Sequence, residues 1–127
     1  MTAGEEKDFI REEMEILRLF RSMTEIYKDQ NGVIVLPRSA TALEWQRLTD
    51  MMYKTHVRFM HFIVNEHKLT PQEQQVCILS RMKFSVNDTA TIMNTSPNRV
   101  SNIRSAVSRK LFGLEGASQL NHKLNAI

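Results

Sequence analysis

The apolar positions of this 127-residue chain recur with a helical period over most of its length. Over residues 5–30 the spacing alternates between three and four, as it does along one side of a helix. This stripe contains Phe9, Ile16, Phe20, Met23 and Tyr27, and it is broadened by Ile10, Met14, Leu17, Leu19 and Ile26. We therefore expect one long amphipathic helix, which Asn31-Gly32 would end.

An apolar stripe of this length has to be covered. The helix could fold back onto the chain's own core, or it could pair with the same helix of a second copy as a short coiled coil and form a homodimer. The pattern by itself leaves both arrangements open. We assign residues 1–32 to this helix, as a candidate dimerisation segment.

Residues 33–67 are expected to form a helical connector packed on the core. The apolar run 33–36 is too short to specify a sheet and would be one extended segment docked on the core. Thr41 and Glu44 have the spacing of a capping box, which predicts a helix start. The apolar face of that helix would contain Leu43, Leu48, Met51 and Met52. Trp45 would pack on this face or on the next helix, which is expected over 56–65 with Val57 facing inward.

Three more helix starts follow in residues 68–127. The hydroxyl residues that predict them are Thr70 before Pro71 and Glu73, Ser85 before Asp88, and Ser96 before Pro97. Hydroxyl side chains in these places cap free backbone N–H groups, and proline fits the first helical position. Asn94 can adopt the left-handed conformation that ends a helix, so about three residues separate the last two helices. Two helices joined by such a short turn indicate a helix-turn-helix.

The helix predicted over 97–111 has two chemically distinct faces. Its inward face contains Val100, Ile103, Val107 and Leu111. The opposite face contains Asn98, Ser101, Asn102 and Ser105, and the flanks and end contain Arg99, Arg104, Arg109 and Lys110. A helix that served only the core would have no need of this polar and basic surface.

The stretches LTPQE (69–73) and SVNDTATIMNTSPNRVSNIRSAVSRKL (85–111) resemble the DNA-binding domain of LuxR-type transcription regulators. They are most similar to the variant at the C-terminus of membrane-anchored bacterial regulators with tetratricopeptide repeats. There, a helix containing a tryptophan precedes a segment like HVRF, which is 56–59 in this chain. The resemblance covers 43–127. It implies an all-α helix-turn-helix bundle that acts as a cytoplasmic transcription regulator on double-stranded DNA, here preceded by the long amphipathic helix.

On this interpretation the helix 97–111 enters the major groove. The residues expected towards base edges are Asn98, Ser101, Asn102 and Ser105, and those expected at phosphates are Ser96, Arg99, Arg109 and Lys110. Asn102 is the best candidate for direct readout, because an asparagine amide can bond both N6 and N7 of adenine. Arg104 lies at the edge of the packed face, where an ion pair with Glu73 could hold it. Modules of this size commonly bind paired half-sites, which favours the homodimer.

The distribution of charge agrees with a phosphate-binding surface. Residues 68–127 contain eight basic and three acidic side chains, whereas residues 1–67 contain nine basic and eleven acidic ones. The positive charge is thus concentrated in the segment with the predicted helix-turn-helix, as expected of a module that binds a polyanion.

Other functional classes find little support in the sequence. The lone Cys77 excludes an internal disulfide, and His56, His61 and His67 lack the spacing that places metal ligands on one helical face. No catalytic motif is present, so we expect no enzymatic activity, metal or cofactor. The acidic start differs from a signal peptide, and no apolar run is long enough to cross a membrane, which favours the cytoplasm. The chain could also be the cytoplasmic end of a longer membrane-anchored protein.

Two alternatives to autonomous DNA binding remain open. A helix-turn-helix can serve as a protein-interaction module, with the N-terminal helix binding a partner helix. It can also be a sigma-factor-like module that touches promoter DNA only together with RNA polymerase. Both alternatives predict weak binding of the isolated chain to duplex DNA.

Overall fold

The computed structural model describes residues 2–127 and shows a mainly helical chain with a short β-hairpin. The helices are α1 (Ala3–Ser22), α2 (Ala42–Thr55), α3 (Val57–Met60), α4 (Pro71–Arg81), α5 (Val86–Met93), α6 (Pro97–Phe112) and α7 (Leu120–Asn125). A π-helical segment, His61–Glu66, continues α3, and the antiparallel strands are β1 (Tyr27–Lys28) and β2 (Ile34–Val35). The all-α prediction is confirmed as a mainly helical fold. Among the residues described, no helix is both long and apolar enough to span a bilayer.

The helix starts predicted between residues 41 and 97 are all present. Their N-cap residues are Thr41, Thr70, Ser85 and Ser96. At Thr41 and Thr70 both halves of the capping box form, because the glutamate three residues on accepts a bond of 2.9 Å from the backbone N–H of the threonine. Each serine hydroxyl accepts a bond of 3.1 Å from the backbone N–H three residues on. Local sequence therefore determines where α2, α4, α5 and α6 begin.

The prediction of a single helix over 5–30 is wrong, because α1 ends at Ser22. The hydroxyls of Ser22 and Thr24 donate to the carbonyls of Leu19 and Arg21, at 2.6 and 2.8 Å. In a continuing α-helix these carbonyls would accept hydrogen bonds from the backbone N–H groups four residues on. The side chains thus compete with the helical backbone at its last turn.

Asn31-Gly32 turns a hairpin instead of ending a helix. The Asp29 carboxylate accepts bonds of 2.9 Å from the backbone N–H groups of Asn31 and Val33, and Gly32 takes the left-handed conformation with φ of 77°. The turn pairs β1 with β2. The prediction that 33–36 docks on the core is also wrong, since three of its residues are exposed: Val33, Ile34 and Leu36.

A single hydrophobic core draws side chains from every helix. Its largest fully buried residues include Phe20, Phe59, Ile16, Met23, Leu48, Met51, Met52, Met60 and Ile63. Phe20 of α1 meets Trp45 of α2 edge to face, with ring centroids 5.5 Å apart. One side of α1 therefore folds back on the chain's own core, and the segments 1–32, 33–67 and 68–127 all contribute to that core.

Two details of the predicted packing, at Leu43 and Val57, need correction. Leu43 is exposed, because the five-residue step to Leu48 turns it about 140° away from the buried face of α2. Val57, the first residue of α3, is also exposed. Trp45 lies on the buried face of α2 with Leu48 and packs edge to face on Phe20 of α1. The last helix begins at Leu120, after a bend and turn over residues 117–119.

A polar network joins α1 to the end of the chain. His56 Nε2 lies 2.6 Å from Glu13 Oε1, and His56 Nδ1 accepts a bond of 3.2 Å from Arg81 Nε. Arg81 also donates to the carbonyls of Leu124 and Ile127 and lies over the ring of Phe59. These bonds hold α1, α4 and α7 in a fixed arrangement around the core.

Candidate nucleic-acid interface

The inward face of α6 is the one that its sequence predicts. Val100, Val107 and Leu111 are buried, and Ile103 is partly buried. They anchor α6 in the core, and α6 also packs directly on α4 and α5. Because one face of the helix is fixed in this way, the direction of every side chain on the opposite face is fixed as well.

The turn before α6 also has the predicted conformation. Asn94 ends α5 in the left-handed region with φ of 55°. Its backbone N–H donates to the carbonyl of Thr91, and the backbone N–H of Thr95 donates to that of Ala90. The hydroxyl of Ser96 then caps α6 by accepting a bond from the backbone N–H of Arg99. The three-residue turn 94–96 therefore sets the angle at which α6 leaves α5.

An uncharged polar stripe runs along the outer face of α6. Asn98, Ser101 and Asn102 are exposed, and Ser105 is half-buried. The spacings of three and four place all four residues on one side. Asn98 and Asn102 also line a surface depression between α6 and the start of α4. The structure thus brings the four predicted base-facing residues together on one surface.

The helix carries four basic residues and no acidic one. Two of them, Arg99 and Arg109, are exposed near opposite ends of the polar stripe, about 15 Å apart along the helix axis. Arg99 donates to the side-chain oxygen of Gln72 at 2.9 Å. Arg109 lies 3.8 Å from the carboxylate of Glu115, and both side chains are largely exposed to solvent. Both guanidinium groups can therefore reach an anion outside the protein.

Lys110 is held differently from the other predicted phosphate contacts. Its ammonium group donates to Glu73 Oε2 at 2.5 Å, and the lysine side chain remains about half exposed. Burial alone would raise the pKa of the Glu73 carboxyl, but bonds from Lys110 and from the backbone of Thr70 outweigh it and lower that pKa. The pair ties the last turn of α6 to the first turn of α4.

The expected ion pair of Arg104 with Glu73 does not form, because Lys110 occupies the carboxylate. Arg104 instead donates to Ser80 Oγ at 2.7 Å and to Asn121 Oδ1 at 3.0 Å. Burial lowers the pKa of its guanidinium. Arg104 therefore braces α6 against α4 and α7.

Groups suited to other chemistry are sparse in residues 2–127. Cys77 is fully buried in α4, and burial raises the pKa of its thiol to about 12. Nowhere in this part of the chain do three or more histidine, cysteine, aspartate or glutamate side chains lie close enough together to hold a metal ion.

The structure adds Gln72 to the residues of this surface. It is exposed in the first turn of α4, and its side chain accepts the bond from Arg99. No local pattern predicts this contact, because the two residues are 27 positions apart and only the packing of α4 on α6 brings them together.

Comparison of the chain with protein-family models, with curated proteins and with solved structures gives no match.

Proposed function

We propose that the chain is a DNA-binding module whose helix α6 lies in the major groove of duplex DNA. The observation that carries the proposal is the outer face of α6, where an uncharged polar stripe lies between exposed arginines and no acidic residue is present. Their separation of about 15 Å is comparable to the width of the major groove, about 12 Å. A helix in the groove would then meet a phosphate backbone near each end.

The polar stripe supplies the groups that read base edges. An asparagine amide both donates and accepts, and Asn102 lies near the middle of the exposed face, which suits it to a bidentate pair with adenine. Asn98, Ser101 and Ser105 would contact base edges on either side of Asn102. Phosphates would bind to Arg99 and Arg109, to the Ser96 hydroxyl, and to Lys110 through the donors that Glu73 leaves free.

We further infer that α4, α5 and α6 form a helix-turn-helix of the LuxR type. The capping box at Thr70, the left-handed Asn94 and the cap at Ser96 support this assignment, as does the buried face of α6. On this proposal the chain is a cytoplasmic module of a bacterial transcription regulator, and RNA polymerase is a candidate partner. No part of the proposed mechanism requires a cofactor or a catalytic residue.

The test is a titration of random duplex DNA with the purified chain at a series of salt concentrations, with binding measured by fluorescence anisotropy. We expect log affinity to fall steeply and linearly with log salt concentration, because each phosphate contact releases a counterion. The double variant Arg99→Ala/Arg109→Ala should lower the magnitude of that slope by about two.

Arg47→Ala/Arg58→Ala is the matched control, since it removes two exposed arginines that lie outside the proposed surface. It should bind like the natural chain. Absence of binding at low salt, or equal losses in both double variants, would overturn the proposal.

A protein-interaction module is the second candidate. It is favoured by the apolar side chains exposed on and beside the hairpin, among them Ile26, Val33, Ile34, Leu36 and Leu43. On this view the chain binds a protein by apolar burial, which depends little on salt. The salt series therefore separates the two candidates.

A further inference from the structure

Part of the apolar stripe of α1 remains uncovered after the helix has folded back on the core. Ile16 and Phe20 are buried, whereas Ile10 and Met14 are 57% and 56% exposed and Leu17 is half-buried. Ile10, Met14 and Leu17 are separated by four and then three residues. This is the spacing of successive d, a and d positions in a coiled-coil seam. We call Ile10, Met14 and Leu17 the outer seam.

The outer seam is continuous along the surface. Met14 and Leu17 line a shallow groove together with Arg18 and Arg21, in the second half of α1. Ile10 lies one turn before Met14 and continues the same side of the helix. Apolar side chains aligned in this way on a solvent-facing helix favour a partner helix.

The charges beside the outer seam differ in sign between its two flanks. Glu6 and Glu13 occupy the g positions on one flank, and Arg11 and Arg18 occupy the e positions on the other. Within residues 2–127, no oppositely charged side chain lies within ion-pair distance of Glu6, Arg11 or Arg18. Glu13 binds His56 through Oε1, which leaves Oε2 for a further partner.

We propose that the outer seam binds the outer seam of a second copy of this chain, with the two α1 helices parallel. In a parallel pair each g residue lies near the e residue of the partner's next heptad. Glu6 then faces Arg11 of the second copy, and Glu13 faces Arg18, so the two-fold symmetry gives four opposite-charge contacts. An antiparallel pair would place glutamate against glutamate and arginine against arginine, which repels.

The parallel orientation of the two α1 helices determines where the rest of each chain lies in the dimer. Arg21, in its last turn, donates to the carbonyl of Met82 and lies over the ring of Phe84. These residues form the α4–α5 junction, so that junction lies at the C-terminal end of α1. A parallel pair therefore puts both junctions at the same end of the dimer, where two copies of the proposed DNA-binding surface could bind adjacent half-sites.

Disulfide trapping tests both the interface and its direction. In the parallel pair residue 10 meets its own equivalent, whereas in an antiparallel pair centred on Met14 it would meet residue 18. Ile10→Cys should therefore give a disulfide-linked dimer under mild oxidation. Glu15→Cys, exposed on α1 outside the seam, is the matched control and should remain largely monomeric. The natural thiol of Cys77 is buried and does not interfere. Equal crosslinking of both variants, or none, would overturn the proposal.

Charge reversal tests the pairing without new thiols. Arg11→Glu should raise the dimer dissociation constant about tenfold or more, because it places like charges beside Glu6 of the second copy. Adding Glu6→Arg to that variant should restore dimerisation, as measured by sedimentation equilibrium. If the double variant stays as weak as the single one, the parallel register is refuted. Since no DNA is present, failure here would leave the proposed DNA binding of the single chain untouched.

Discussion

Helices α1 and α6 both have an apolar inner face, but the chemistry of their outer faces differs. Both bury an apolar stripe in the same core, through Ile16 and Phe20 in α1 and through Val107 and Leu111 in α6. The outer face of α6 is polar and basic without a single carboxylate. The outer face of α1 is apolar in the middle and has charges of both signs beside it.

The inner face of each helix contributes to the stability of the fold, and the outer face determines what the helix can bind. Inner-face periodicity buries apolar area, which stabilises the fold whatever lies outside. Over their full lengths α1 carries six acidic and four basic residues, whereas α6 carries four basic residues and no acidic one, so α6 attracts a polyanion more strongly. This difference in charge is consistent with the two proposals, a second copy of the chain as the partner of α1 and duplex DNA as the partner of α6.

The largest expected effect contrasts the two faces of α1. Phe20→Ala removes a fully buried ring that packs on Trp45, and it should lower the free energy of unfolding by about 3–5 kcal/mol. Ile10→Ala, on the outer seam, should change it by less than about 0.5 kcal/mol at protein concentrations where the chain is monomeric. Urea unfolding monitored by circular dichroism measures the free energy of unfolding of both variants. Similar losses in the two variants would mean that α1 has no distinct outer face.

The next effect concerns base readout by α6. Once a preferred site has been selected from random duplexes, Asn102→Ala should narrow the affinity gap between that site and random DNA by about 1–3 kcal/mol. Stability should stay unchanged because the side chain is exposed. Asn65→Ala, an exposed asparagine remote in sequence from α6, serves as control. An undiminished gap would remove Asn102 from direct readout.

The smallest effect lies at the contact between α6 and α4. The folded state lowers the pKa of the Glu73 carboxyl below its ordinary value. The ionised carboxylate therefore stabilises the fold at a pH above that ordinary pKa, and this contribution is lost as the pH falls below it. Glu73→Gln should cost about 0.5–1 kcal/mol at pH 7. The difference from the natural chain should shrink towards pH 3, which urea titrations across pH would show. A difference independent of pH would contradict the assignment.

Much of the region 69–112 was predictable, because its signals are local. A hydroxyl residue followed three positions later by a glutamate, a proline after the cap and an asparagine at a helix end each act within one turn. The burial of Val100, Val107 and Leu111 followed from their helical spacing. The four polar residues of the α6 stripe were expected on one surface for the same reason.

The region 22–43 was not predictable from its apolar pattern. Met23 and Tyr27 continue the helical spacing of α1, yet the hydroxyls of Ser22 and Thr24 take backbone carbonyls and the hairpin turn at Asp29 reverses the chain. Spacing alone could not rank a longer helix against these side-chain bonds. It could not show either which half of the α1 stripe the core would cover.

The sequence by itself determined where α2, α4, α5 and α6 begin and which face of α6 is apolar, because caps and helical periodicity depend on neighbours within a turn or two. Only the tertiary structure decided which cation of α6 binds Glu73. Lys110 does so and Arg104 turns to Ser80 and Asn121 instead. That choice depends on the angle at which α6 crosses α4, and contacts made by residues 37 positions apart exist only once the core has packed.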